Sequence, residues 1–115
     1  MLIVGREIGQ SVIIGDVIKV TVQKKYLKPQ LLINAPKHFS ISQYNQIGSS
    51  KVSLKKGVRM VGKQILIGEL IKVALLQTDS GLLRIAIEAP KKIPIYREEL
   101  YKTIRLSEEK LRISL

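Results

Sequence analysis

The sequence predicts a mainly β protein: two similar units of short strands, intertwined around one shared core, with one C-terminal α-helix. Three observations carry that expectation. The apolar residues, 45% of 115, are almost all aliphatic, with 17 Ile, 9 Val and 15 Leu against one Phe, four Tyr and no Trp. Ile and Val are stiff at χ1 and suit pleated, half-buried surfaces. Apolar and polar residues alternate over short stretches bounded by Gly and Pro, as strands with one wet face require. Third, the chain repeats itself at an offset of 53 residues. Arg6 aligns with Arg59, Gly9 with Gly62, Ile14-Gly15 with Ile67-Gly68, and Ile18-Lys19-Val20 with Ile71-Lys72-Val73. After one inserted residue, Ala35-Pro36-Lys37 aligns with Ala89-Pro90-Lys91, and Ile41 with Ile95. The units are residues 1–46 and 54–115, joined by a linker over 47–53. A unit of roughly 45 residues buries little core alone, so the two are expected to fold as one domain, a pseudo-dimer.

Taken in order, Leu2–Glu7 reads as a strand leading to Gly9, and Ser11–Ile14 as a second that ends at the Gly15-Asp16 turn. In the third, Ile18, Val20 and Val22 alternate with Lys19, Thr21 and Gln23. Lys28-Pro29 marks a turn, followed by a strand over Leu31–Asn34, the Ala35-Pro36 break and a strand over His38–Gln43. The second unit repeats this with Gln64–Ile67, Leu70–Gln77, a Thr78-Asp79-Ser80-Gly81 turn, Leu82–Glu88 and Ile93–Tyr96. From Arg97 onward, Leu100, Ile104 and Leu111 recur near helical spacing, a stripe expected to pack against the body. Glu98 and Glu99 fall in the first turn of that helix, with Lys110 and Arg112 near its end, as the helix dipole favours.

Twenty Lys and Arg oppose nine Asp and Glu, for a net charge of +11. Such an excess makes a polyanion the default partner. Both parts share its sign, +4 over residues 1–47 and +7 over the remainder. Cysteine is absent, which excludes disulfides, thiolate metal sites and a thiol nucleophile. The single imidazole, His38, excludes most acid–base triads and multi-His metal sites, and it reads as a strand-edge residue. Glu98 and Glu99 suit helix-end electrostatics better than paired-carboxylate catalysis. No Gly-rich phosphate loop is present, and Gly9, Gly15, Gly62 and Gly68 read as turn positions. No enzyme, cofactor or metal is therefore expected. Leu2-Ile3-Val4 is interrupted at Arg6, short of the roughly 7–15 residues of an export-signal core. Gln64–Leu76 contains Glu69 and Lys72, so no run reaches the roughly 20 residues of a membrane helix. A soluble, cytoplasmic protein without a membrane partner is expected.

The opening run from Met1 to Asp16, with Leu2-Ile3-Val4, Arg6 and Ile14-Gly15-Asp16, resembles the start of the carbon storage regulator (CsrA/RsmA) family. Asn34-Ala35-Pro36-Lys37 matches the family's signature near its fourth and fifth strands. Glu88-Ala89-Pro90-Lys91 and Ile95-Tyr96-Arg97-Glu98-Glu99-Leu100-Tyr101 resemble the same region running into the family's helix. The resemblance covers nearly the whole chain, twice over. It implies five strands and a helix per unit, intertwined as in the family's homodimers, here fused into one chain. It also implies binding of GGA-containing loops in mRNA leaders or small regulatory RNAs, and control of translation. Each site would combine the first strand of one unit with the fifth strand of the other.

One such composite site reads as intact. It holds Leu2, Ile3, Val4 and Arg6 from the first strand, and Ala89, Pro90, Lys91, Ile95 and Arg97 from the second unit. Arginine offers planar donors to phosphates and purine edges and a plane for base stacking. Lys91 and Lys92 serve equally well as contacts or as turn charges, and Glu7 replaces a basic residue usual in the family. The reciprocal site reads as eroded. Gln43 stands at its arginine position, and its first strand, Leu54-Lys55-Lys56-Gly57-Val58-Arg59, has lost the apolar run. Lys37, Lys55, Lys56 and Arg59 would there attract phosphate without reading sequence. The alternative reading is a protein-interaction module that binds a protein antagonist and has lost most RNA binding. A generic basic ribosome-associated or DNA-binding protein rests on charge alone. The short linker favours pairing within a monomeric chain, with strand-swapped oligomers also open.

Overall fold

The structure is a computed structural model that describes residues 1–44 and 56–104. Among these residues nine strands form two antiparallel sheets: β1 (Leu2–Gly5), β2 (Ser11–Ile14), β3 (Ile18–Lys25), β4 (Lys28–Asn34), β5 (Ile41–Tyr44), β6 (Val58–Ile67), β7 (Ile71–Thr78), β8 (Leu83–Glu88) and β9 (Ile95–Arg97). One helix among the described residues, α1 (98–104), follows β9 directly. It is too short to cross a membrane. Within their layers the strands run in the orders β1-β8-β7-β6-β5 and β4-β3-β2-β9. The fold is mainly β, and the two halves of the chain are intertwined. β1 and β5 from the N-terminal half flank a sheet built by β6–β8, and β9 from the C-terminal half extends the other.

Period-2 alternation places one face of each strand inside. Along β3, Ile18, Val20 and Val22 are buried while Lys19, Thr21 and Gln23 are half-buried. Their counterparts Ile71, Val73 and Leu75 are buried on β7, where Ala74 and Leu76 are covered on the other face as well. These two sets, with Val4, Val12, Ile14, Ile65, Ile67, Ile85 and Ile87, form a single apolar cluster between the sheets. Fully burying one such side chain stabilises the fold by about 1.5–3 kcal/mol, so this shared interior holds the halves together.

The two ends of the molecule match in detail. The Gly15 amide bonds to the carbonyl of Pro94 at 2.8 Å, and the Gly68 amide to that of Ser40 at 2.7 Å. Both glycines lie in the left-handed region, at φ 55° and 64°. A Cβ at either would crowd a side chain from the other half, Ile93 at 3.2 Å or Phe39 at 3.3 Å. The following pairs match too, Ile14 opposite Ile95 and Ile67 opposite Ile41.

Four sequence expectations shift. The turn expected at Lys28-Pro29 falls at Tyr26-Leu27, both with positive φ, in a two-residue hairpin. Pro29 instead lies within β4, an edge strand, where a missing N–H on the open side breaks no ladder bond. The strand expected from His38 begins at Ile41, because Pro36–Phe39 closes a turn with a 3.0 Å bond from the Phe39 amide to the Pro36 carbonyl. The helical stripe does not pack onto the body: Leu100 is 56% and Ile104 42% exposed, and Leu111 lies outside the described residues. Finally, Val58–Val61 does not leave its own half as Leu2–Gly5 does. It continues into β6, pairing with Leu75–Thr78 of β7 across a register shift between Val61 and Ile65. The cause is apolar: Val58 and Met60 pack on Ala74, Leu76 and Ala86, where the first unit has Gly5 and Glu7 at the aligned positions.

Candidate functional site

β1 is held by β8 in the register Leu2 opposite Ile87 and Val4 opposite Ile85, which turns Val4 into the core. Leu2 and Ile3 stay exposed at 43% and 50%. The Arg6 amide continues the ladder by donating to the Leu83 carbonyl at 3.1 Å. A turn then reverses the chain, closed by the Gln10 amide on the Glu7 carbonyl at 2.9 Å and by the Gly9 amide on the Val22 carbonyl at 2.7 Å. The chain enters β2, whose other neighbour is β9, with Val12 opposite Arg97 and Ile13 opposite Tyr96. One reversal of the chain thus leads from the N-terminal strand into β2, the neighbour of the strand that carries Arg97.

Arg6 is the fastening between them. It is only 7% exposed, and its guanidinium grips Glu99 at both oxygens, Nη1 to Oε1 at 2.7 Å and Nη2 to Oε2 at 3.2 Å. Nη1 also donates to the Ser11 carbonyl at 3.3 Å, and Nε to the Gly5 carbonyl at 2.9 Å. The fork geometry of arginine allows this bidentate grip, which Lys cannot reproduce. The hydrogen bond from Arg6 holds the Glu99 carboxyl below the usual glutamate value. Next to it, Glu98 bonds Lys19 of β3 at 2.9 Å and Lys102 at 3.3 Å, and the Lys19 hydrogen bond lowers its pKa as well. The acids expected to serve the helix dipole therefore tie α1 to both β1 and β3.

Arg97 is exposed and makes no hydrogen bond or ion pair among the described residues. Lys91 is exposed in the turn before β9, while Ala89, Pro90 and Ile95 are half-buried; Ala89 and Ile95 pack against the core. The site thus offers exposed apolar side chains on β1, an exposed guanidinium and further lysines, with the end of β1 fastened to α1 through Arg6. Sequence reading set Arg6 among the RNA contacts; here it is 7% exposed and engaged by an acid 93 residues away.

The residues of the reciprocal site are not gathered in the same way. Arg59 lies on β6 opposite Gln77 and donates to its Oε1 at 2.9 Å. Gln43 lies on β5 opposite Ile65, and Lys37 follows β4 in the other sheet. Lys56 is exposed, and Lys55 lies outside the described residues. No hydrogen bond or ion pair joins Lys37, Gln43, Lys56 and Arg59 among the described residues.

Fold and site together define a small basic protein in which an N-terminal strand is bound in the sheet of the C-terminal half and clamped to its helix. A family model described as a global regulator protein family, CsrA, matches residues 58–106. The translational regulator CsrA of Clostridium botulinum strain Okra is 40% identical over 52 residues, 45% of this chain and 72% of the relative. That of Clostridium novyi strain NT gives the same identity and coverage. The Thermotoga maritima protein of the same name is 45% identical over 47 residues, 41% of this chain and 57% of the relative. No solved structure matches the chain. The chain belongs to the CsrA family of regulators.

Proposed function

We propose that this chain is a non-enzymatic RNA-binding regulator of translation that works in the cytoplasm without a cofactor. In this reading residues 1–46 and 54–115 are fused copies of one CsrA unit, and the chain acts as a monomeric pseudo-dimer with one working RNA site. That site takes a GGA-containing loop against Leu2, Ile3, Arg97 and Lys91, while Arg6 sets the spacing of β1 and α1 through Glu99. The observation that carries the proposal is the Arg6–Glu99 clamp, which ties the end of β1 to the helix that directly follows an exposed Arg97. The names of the relatives, translational regulators, support the reading.

The reciprocal residues supply positive field only, since Arg59 is engaged with Gln77 and no acid follows Gln43 to receive it. A second reading, a module that binds a protein antagonist in place of RNA, draws on that loss. Titration of the chain with a GGA hairpin and a scrambled hairpin at several salt concentrations separates the two. An RNA regulator prefers GGA, and its affinity falls steeply with salt as phosphate counterions are released. Equal affinity for both hairpins sinks the sequence-selective proposal, and absence of binding at low salt favours the antagonist module.

A further inference from the structure

The two sheets differ by one strand. β8 is covered on its outer side by β1, whereas β4, which aligns with it in the repeat, ends its sheet among the described residues. The aligned residues show the consequence. Ile85 and Ile87 are buried to within 1% of full exclusion, while Leu31 and Ile33 are only half-buried. A groove of about 250 Å³ opens beside the bare edge, lined in part by Pro29, Leu31, Val61, Ile65 and Leu75.

β4 is also the longest edge strand described, at seven residues against four, four and three for β1, β5 and β9. The Tyr26-Leu27 hairpin fixes the direction of its backbone groups. Lys25 and Lys28 flank a two-residue turn, so they form a hydrogen-bonded pair, and alternate residues bond inward thereafter. Leu31 and Ile33 therefore direct N–H and C=O groups outward, as does the carbonyl of Pro29. The same outward parity holds on β8, where the Leu83 carbonyl, aligned with Pro29, accepts from Arg6 of β1. A bare, hydrogen-bonding, apolar edge of this length is a template for another strand.

We propose that the outer edge of β4 is a self-association site, at which a second copy of this chain pairs its own β4 antiparallel. The strand is self-complementary in one register. Leu31 lies opposite the partner's Ile33, and Ile33 opposite the partner's Leu31, forming two hydrogen-bonded pairs. Leu32, 49% exposed, then faces the partner's Leu32 between them. Lys28 passes beyond the paired segment, so no like charges face across the join. Both grooves lie on the same side of the resulting eight-stranded sheet and close over each other. A β1 strand borrowed from the second copy is the poorer occupant, because its withdrawal exposes Ile85 and Ile87 in the donor. At +11 per chain the copies repel, so pairing strengthens as salt rises.

The test uses the full chain, which has no cysteine of its own. Sedimentation equilibrium at low and high salt should reveal a dimer that tightens with salt, and Leu32→Lys should weaken it at least tenfold. Leu32→Cys places two thiols about 4.5 Å apart at Cα, within disulfide range, and should oxidise readily to a covalent dimer. Leu70→Cys, more accessible but remote from this edge, should not. Circular dichroism checks that each variant keeps its fold. A chain that stays monomeric at high salt, a dimer indifferent to Leu32→Lys, or equal cross-linking at positions 32 and 70 would each overturn the proposal. The site is independent of the RNA reading, so Leu32→Lys should bind a GGA hairpin like the parent.

Discussion

Two arginines with the same formal charge have been given opposite duties by their surroundings. Arg6 is buried against Glu99 and two carbonyls, so its donors are spent within the protein. Arg97, one strand away, is exposed. Arg97→Ala should therefore reduce affinity for a GGA hairpin about tenfold or more and lower the salt slope by about one, with the melting curve unchanged. Hairpin titrations at two salt concentrations check this. Arg6→Ala should weaken RNA binding as well, but together with a fall in thermal midpoint, and Arg6→Lys should restore little because one ammonium cannot span both Glu99 oxygens. The carboxyls of Glu98 and Glu99 both titrate below the ordinary glutamate value of 4.5 in the folded chain. A depressed folded pKa contributes stability that is complete above the ordinary value and is lost as pH falls through the folded one. Thermal midpoints measured from neutral pH downward should thus drop below about pH 4.5, and the drop should be shallower in Arg6→Ala. Arg6 was legible in the sequence as a special residue, through its repeat with Arg59. Its role was not, because the partner that claims it arrives from the opposite end of the chain. A usable signal was there: two acids follow Arg97, whereas Tyr44 and Asn45 follow Gln43.

For the elements, the hydrophobic pattern specified the strands well where one face is dry. β2, β3, β7 and β8 lie within a residue or two of the stretches that alternation marks out. The misses share a cause, competition between local turn chemistry and tertiary pairing. Pro29 signals a turn in isolation, yet an open edge accommodates it, while Tyr26 and Leu27 take the positive φ that hairpin twist demands. Gly62 marks a reversal by analogy with Gly9, yet Val58 and Met60 find apolar cover on β7 and β8, and β6 runs on through a register shift at Gly62 instead of turning away. The matched glycines make a sharp prediction for these elements. Gly15→Ala must hold a left-handed backbone, at a cost of about 1–2 kcal/mol. It must also displace Ile93, whose Cγ2 lies 3.2 Å from the added carbon. Chemical denaturation should place both Gly15→Ala and Gly68→Ala well below the parent in stability, whereas Gly5→Ala, which meets nothing within 4 Å, should stay near it.

Across the whole molecule, strand exchange makes the halves interdependent. One apolar cluster draws on β1–β3 and β6–β8, so neither half retains a closed core when the other is removed. Leu75→Ala, at the centre of that cluster, should cost about 2–5 kcal/mol in denaturant unfolding, as other buried Leu truncations do. The transition should stay single, with N-terminal and C-terminal probes melting together. The intertwined architecture was readable from the repeat and the family resemblance, and the lack of an eighth strand pairing among the described residues was not. A sequence repeat promises symmetry, whereas the apolar substitutions at Val58 and Met60 break it and leave β4 without an outer strand among the described residues. In the proposed function the asymmetry goes with a single working RNA site. Backbone amide shifts followed by NMR during titration with a GGA hairpin test this most directly. The account predicts perturbations centred on Leu2–Gly5, Lys91 and Ile95–Arg97, saturating at one RNA per chain, with Lys37, Gln43 and Arg59 quiet. Perturbations centred on Gln43 and Arg59, or two RNAs bound per chain, would contradict it.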